Sequence, residues 1–262
     1  MYQQIKLQIK NSVATVALHR PEVRNAFHPQ MIQEITKAFK TLHKDKTLRA
    51  IVLKGEGKSF CAGADLEWMK SMAKFSYAQN VKDAEKLYDM FAALRDGDVP
   101  IVGQVHGAVF GGALGLLSVC DVVFAGRSTQ FCFSEVRLGL APAVISAFVK
   151  EKMNESMMTR YFLTGSVFSA EQALQAGLVH DVVDEDQLQD SVEKFLEKEI
   201  LMAGPQAVRA TKKLLRSLKK TKTEVQIKKI TTQTIARLRV SEEGQEGLSA
   251  FFEKRPPKWR QT

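Results

Sequence analysis

With 262 residues, 45% hydrophobic and 26% charged, the chain can bury one large core, alone or with an appendage, and its composition excludes a wholly disordered protein. Its three cysteines (Cys61, Cys120, Cys132) form no Cys-x-x-Cys pair and its five histidines no His-Glu-x-x-His pattern, which argues against a disulfide framework and a metal site. The net charge of +9 lies in the last quarter, where residues 201–262 hold 15 Lys/Arg and 5 Asp/Glu; a solvated helix face is the first explanation, a phosphate-bearing ligand the second and nucleic acid the third.

The N-terminal stretch MYQQIKLQIKNSV lacks the layout of a signal peptide. No apolar run is long enough to span a membrane, and the terminal WRQT is no peroxisomal address. The expected location is cytoplasmic. Ile5, Leu7 and Ile9 alternate with polar residues, Asn11-Ser12 marks a turn, and an extended apolar run follows from Val13, so the chain opens on a hairpin. Arg20-Pro21-Glu22 ends it. Met31, Ile35, Ala38 and Leu42 predict a helix, with Ile32 and Phe39 widening its stripe. Residues 50–53 predict a short strand. After Cys61-Ala62-Gly63-Ala64-Asp65 comes a stretch with two Met and one Trp that reads as mobile. Leu87, Met90, Phe91 and Leu94 mark a second amphipathic helix. Strands are predicted at 99–105, 121–125 and 130–133, with small residues from His106 to Gly115 leading into an apolar helix. Ser169 and Gln172 have the spacing of a capping box, and Gly177 can stop that helix. From about residue 185 the pattern is helical, with Val208, Leu215 and Leu218 on one stripe. The alternation of strands and helices predicts an α/β class.

Three segments carry chemistry. In Ser59-Phe60-Cys61-Ala62-Gly63-Ala64-Asp65 a strand gives way to small residues whose backbone N–H groups a ligand can approach; a tight strand-to-helix turn is the plain alternative. In Gly107-Ala108-Val109-Phe110-Gly111-Gly112-Ala113-Leu114-Gly115 a strand feeds a Gly-Gly pair that opens a helix. Free N–H groups and the positive dipole end there suit an anionic oxygen. The spacing is not Gly-x-Gly-x-x-Gly and lacks Gly-Lys-Ser/Thr, against a dinucleotide fingerprint or a P-loop; close helix packing is the alternative. In Phe131-Cys132-Phe133-Ser134-Glu135-Val136-Arg137-Leu138-Gly139 the carboxyl of Glu135 follows an apolar strand. Such a setting raises a carboxyl pKa toward the range useful for proton transfer. Taken alone, that segment is better explained by an ion pair with Arg137 or a helix cap.

Together, in this order, these segments resemble the enoyl-CoA hydratase/isomerase (crotonase) family over nearly the whole chain. Arg20-Pro21-Glu22 with Asn25-Ala26, the stretch from Gly165 to Gly177 and Phe251-Phe252-Glu253-Lys254-Arg255-Pro256 add to the likeness. The resemblance implies a crotonase-like spiral of ββα repeats over residues 1–195, carrying an acyl-CoA site. A C-terminal helical subdomain, 196–262, would serve trimerisation, giving a homotrimer or a dimer of trimers. It implies that the N–H groups of Ala64 and Gly112 hold the thioester oxygen and that Glu135 moves the proton. CoA and substrate contacts would come from Arg24, Ala26, Ala62, Asp65, Leu66 and Gly111, with Lys254 or Arg255 reaching CoA phosphates. No metal or redox cofactor is implied, since coenzyme A is part of the substrate. The family's first carboxylate normally lies three residues after the second N–H donor; Gly115 stands there instead.

Cys61-Ala62-Gly63-Ala64-Asp65-Leu66 with Trp68-Met69-Lys70, and Pro142-Ala143-Val144-Ile145-Ser146, are similar to methylglutaconyl-CoA hydratases. That likeness implies hydration of a conjugated acyl-CoA, with 3-methylglutaconyl-CoA as the best candidate and Arg137 as a partner for its terminal carboxylate; a surface ion pair is the alternative for Arg137. An isomerase working through Glu135 alone is the first rival. A noncatalytic member that binds CoA, or RNA through the basic tail, is the second; no nucleic-acid motif supports it.

Overall fold

The hairpin forms where the pattern places it. Strands β1 (Ile5–Lys10) and β2 (Val13–Leu18) pair antiparallel in the register Ile5↔Leu18, around Asn11 and Ser12 at φ 49° and 61°. The computed structural model describes residues 2–260; Met1, Gln261 and Thr262 lie outside the described residues, and with them the last two positions of the terminal WRQT.

From β2 the chain repeats one path four times. In the first turn β2 is followed by Phe27 and then helix α1 (Pro29–Leu42), which buries Met31, Ile32, Ile35, Ala38, Phe39 and Leu42. In the second, β3 (Ala50–Gly55) lies parallel to β2 and leads through residues 61–64 to α2 (Leu66–Met72) and α3 (Tyr77–Arg95). In the third, β4 (Ile101–Val105) lies parallel to β3 and is followed by β5 (Ala108–Phe110) and α4 (Gly112–Val119). In the fourth, β6 (Val122–Gly126) lies parallel to β4, and β7 (Gln130–Cys132) leads through a short 3-10 turn at Ser134–Leu138 to α5 (Ala143–Val149) and α6 (Glu155–Thr164). The long strands stack into one sheet. The short pieces pair with one another instead: Phe27 with Ala64, Cys61 with Val109, β5 with β7. Strand β8 (Phe168–Ser169) closes that second set, α7 (Ala170–Gln175) follows, and β9 (Asp181–Val183) completes the six-stranded sheet in the order β1-β2-β3-β4-β6-β9. Strands β3 and β4 are almost wholly buried, as parallel strands covered on both faces must be.

Three predicted boundaries move. The strand predicted from residue 99 begins at Ile101, because Pro100 has no N–H to give the ladder. The small-residue segment contains strand β5, and the apolar helix starts at Gly112. The stretch read as mobile is the ordered helix α2, capped by Asp65, whose side chain accepts from the N–H groups of Glu67 and Trp68.

The chain divides into two compact units: one runs through Gly97 and resumes over Ile101–Val192, the other joins Asp98–Pro100 to the residues from Glu193 onward. The second holds the end of α8 (Leu188–Phe195), then α9 (Pro205–Lys220), α10 (Glu224–Arg239) and α11 (Glu242–Phe252). The Glu243 carboxylate accepts from the N–H groups of Gln206 and Ala207 at 2.8 Å each, which caps the start of α9. Arg255 forks onto Glu246, at 2.6 and 3.1 Å.

The capping box at α7 is present with both bonds, Gln172 N–H to Ser169 Oγ at 3.3 Å and Ser169 N–H to Gln172 Oε1 at 2.9 Å. Replacing Ser169 by Ala is expected to cost about 1 kcal/mol of stability, read as a lower urea midpoint with an unchanged denaturant slope.

Candidate active site

After β2 the chain turns on Asn25, a buried residue at φ 56°. Its side chain donates to Glu56 O at 2.8 Å and Ser59 O at 2.9 Å and accepts from Arg20 N–H at 2.8 Å. That turn delivers Phe27 alongside Ala64: Phe27 N–H donates to Gly63 O at 2.7 Å, and Asp65 N–H to Phe27 O at 2.8 Å. Both neighbours of Ala64 are thereby fixed. Its own N–H meets no acceptor among the described residues.

The second N–H comes from the start of α4. Gly111 takes φ 53° and ψ −125°, a conformation closed to side-chain-bearing residues, and its N–H donates to Cys132 O at 2.8 Å. That geometry turns the chain so that α4 begins at Gly112, whose N–H has no acceptor among the described residues. The Phe27 ring lies 3.4 Å from where a Gly112 Cβ would stand, so one buried side chain touches the region of both free donors. Free N–H groups at a helix start hold an oxygen that gains negative charge, and the dipole of α4 reinforces them.

Glu135 sits in the 3-10 turn after β7. Its Oε1 is 3.5 Å from where a Cβ on Gly111 would be, and its Oε2 is buried with no hydrogen-bond partner among the described residues. Burial pushes its carboxyl above the usual glutamate range, with its own backbone N–H pulling weakly the other way. No ion pair joins it to Arg137 or to any other described residue, which removes the first of the two plain explanations that the sequence offered for this segment.

Free donors at Ala64 and Gly112 thus lie with a carboxyl beside Gly111 whose Oε2 has no partner among the described residues. A profile of the enoyl-CoA hydratase/isomerase family matches residues 8–262. The chain belongs to this family. It is 39% identical to an enoyl-CoA hydratase from Shewanella pealeana, whose crystal structure matches with a TM-score of 0.93 over 98% of this chain and 96% of that one. It is 31% identical to the (E)-benzylidenesuccinyl-CoA hydratase of Thauera aromatica over 98% of each chain, and 30% identical to the 2,3-dehydroadipyl-CoA hydratase of Escherichia coli over 95% of each. The fold is the crotonase spiral, and the chain is an enzyme of this family whose relatives support hydratase-type activity.

Gly115, where the resemblance implies a first carboxylate, has no room for a side chain. A Cβ there would stand 2.5 Å from Phe91 Cζ and 2.8 Å from Ile145 Cγ2. The space where a first carboxylate would start is filled by α3 and α5.

The other predicted residues fall into groups. Ala62 N–H donates to Arg24 O at 3.0 Å, which brings those two backbones together, and Ala26 O accepts from Arg20. Leu66 begins α2 and is 74% exposed. The Asp65 carboxylate is already engaged by Arg20 and by the start of α2. Burial would raise its pKa, but the Arg20 hydrogen bond and the two N–H donors outweigh that and hold it below the ordinary value. Arg137 is exposed, packs over Gly165 and has no acidic partner among the described residues. Lys254 is exposed just past α11, in the second unit, and Arg255 is spent on Glu246 and Glu253. The roles of Phe27, Phe91 and Ile145 escaped the sequence: each is an apolar residue in an apolar protein, distinguished only by what it touches.

The raised pKa of Glu135 has a consequence for stability. Below 4.5, its ordinary value, the carboxyl is protonated folded and unfolded and its burial carries no ionisation cost. As the pH rises through the higher folded value, the folded chain must ionise a desolvated group and loses stability. Glu135→Gln is therefore expected to stabilise the protein at about pH 8 and to leave it unchanged at about pH 4, compared by urea midpoints at both.

Proposed function

We propose that this enzyme hydrates a conjugated acyl-CoA thioester whose acyl group carries a second carboxylate, with 3-methylglutaconyl-CoA as the specific candidate. The observation that carries it is the Glu135 carboxyl beside Gly111, its buried Oε2 without a partner among the described residues, at the start of the helix whose first N–H is free. In the proposed step Glu135 takes a proton from water as the water oxygen bonds to C3. The charge passes to the thioester oxygen, held by the Ala64 and Gly112 N–H groups. Glu135 then returns the proton to C2 on the same face, so a single carboxyl gives syn addition. Water adds without change in oxidation level overall, and the step needs no metal or redox cofactor. Each N–H donor is assigned about 3–4 kcal/mol of transition-state stabilisation.

The CoA portion is assigned to backbone around Arg24, Ala26, Ala62, Asp65, Leu66 and Gly111, with Lys254 for a phosphate. Arg137, exposed and unpaired two residues beyond Glu135, is assigned to the terminal carboxylate of the acyl group. The names of the Thauera and E. coli relatives also describe CoA esters of dicarboxylic acids. A second reading, double-bond isomerisation, is favoured by the filled space at Gly115: removing and returning one proton needs one carboxyl. The three free, buried cysteines suit a reducing compartment, and cytoplasm is the proposed location.

Turnover of crotonyl-CoA, 3-methylglutaconyl-CoA and a 3-enoyl-CoA, followed by mass spectrometry, tests this. Gain of one water mainly on the glutaconyl ester is expected; double-bond migration without water gain would make the enzyme an isomerase. Glu135→Gln should keep CoA-ester affinity and lower kcat by roughly 10²–10⁴-fold, and unchanged turnover would remove Glu135 from its role.

We further propose a homotrimer or a dimer of trimers built on residues 196–262. Leu215, Val225, Ile235, Leu248, Phe251 and Phe252 are exposed on one chain, from 47% to 79%, and such faces mark association surfaces. Sedimentation equilibrium should return three or six times the 29.3 kDa chain mass; a monomer at micromolar concentration would refute it.

A further inference from the structure

Arg20 lies at the end of β2 and Asp65 at the start of α2, and their side chains meet. Arg20 Nη2 donates to Asp65 Oδ2 at 2.8 Å, with the two side chains only 15% and 12% exposed. The other arm of the same guanidinium, Nη1, donates to Ala26 O at 2.6 Å. The second carboxylate oxygen, Oδ1, accepts from Glu67 N–H at 2.9 Å and Trp68 N–H at 3.2 Å. One planar fork therefore joins the segment that carries Phe27 to the residue immediately after Ala64. Those same two segments exchange the Phe27–Gly63 and Asp65–Phe27 backbone bonds. The bonds to Gly63 and Asp65 fix both neighbours of Ala64, the Arg20–Ala26 bond holds the segment that carries Phe27, and none consumes the Ala64 N–H.

We propose that Arg20 is a positioning residue: by bridging Ala26 O and the Asp65 carboxylate it holds the Ala64 N–H where the thioester oxygen gains charge. This rests on the assignment of Ala64 as a donor to that oxygen. Charge-assisted bonds in a mostly buried setting are stronger and less screened than a surface pair. A lysine carries a single flexible ammonium and cannot hold the two acceptors in the same fixed geometry. Burial argues against a role as a direct substrate ligand, since both guanidinium arms are already occupied. An oxyanion donor displaced by a fraction of an ångström still leaves CoA bound through other contacts, so the loss falls on the chemical step.

The test uses the full-length enzyme and its best substrate from the acyl-CoA panel. Arg20→Met should lower kcat by about 10²-fold while KM changes far less, and Arg20→Lys should recover part of that loss. Asp65→Asn keeps an acceptor for the α2 N–H groups but removes the charge; it should resemble Arg20→Met, and the double variant should be no worse than either single one. If Arg20→Met does not fold, Asp65→Asn carries the same test. In the Glu135→Gln background, where turnover is expected to be slow enough to observe the bound ester, the carbonyl stretch of a bound ¹³C-thioester should return toward its free value when Arg20 or Asp65 is changed. A carbonyl still shifted in both variants, or a kcat that falls only with the folded fraction, would overturn the proposal. An unshifted carbonyl with Arg20 and Asp65 intact would remove the role of Ala64 itself, and the positioning role of Arg20 with it.

Discussion

Backbone N–H groups in a folded interior are normally spent, because a ladder or a helix consumes nearly all of them, and this site depends on two that are not. The second set of strand pairings supplies both. At Ala64 the pairing with Phe27 uses the carbonyl before and the N–H after, and passes over the N–H between. At Gly112 the strand has ended and the helix has not yet provided an acceptor. A regular hairpin or a longer helix would have filled one or the other. The spiral, which ends a short strand and begins a helix at each turn, leaves such donors as a by-product of its topology. Phe27 and the Arg20–Asp65 pair then decide which of them are held still.

The same economy of space explains the carboxyls. Glu135 lies against Gly111, whose backbone shape no other residue adopts at low cost, although a Cβ there would stand at ordinary contact distance from Oε1. Three residues along α4, the gap left by Gly115 is occupied by Phe91 and Ile145. One glycine is required by the backbone shape and the other by the apolar packing against it. Identical residues four positions apart in one segment thus have opposite consequences, set by what α3, α5 and the turn after β7 bring to them.

Much of the spiral was legible in the sequence because its signals are local. Hairpin alternation, the stripe of α1, the Ser169–Gln172 box and the Gly-Gly opening of α4 each depend on residues within a few positions of one another. The order of the three chemical segments was legible for the same reason. Helix α2 was not, since seven residues with a single buried Trp68 have too short a period to read, and what stabilises its start is a cap from Asp65. The Arg20–Asp65 pair spans 45 positions and no spacing rule reaches it. Arg137 invited an ion pair with its neighbour Glu135, yet the two are unpaired: the 3-10 turn buries one carboxyl oxygen of Glu135 and leaves Arg137 exposed over Gly165.

The basic quarter of the chain takes on a different meaning within its own unit. Part of its charge is spent internally: Arg255 on Glu246 and Glu253, Arg216 on Asp98, and Lys212 on the Val99 carbonyl. Arg255 holds Glu246 down at about 2, through their hydrogen bond first and the Lys258 N–H second, so this pair stays ionised across any physiological pH. A segment bound for nucleic acid would keep its cations free and clustered. Helices α9 and α10 instead bury no residue of their own while presenting Leu215, Val225 and Ile235 to solvent. Helices of sixteen residues draw most of their stability from packing an apolar face, and in one chain that face is uncovered. The apolar residues on these helices are the ones the proposed trimer would bury, with the charges at its rim.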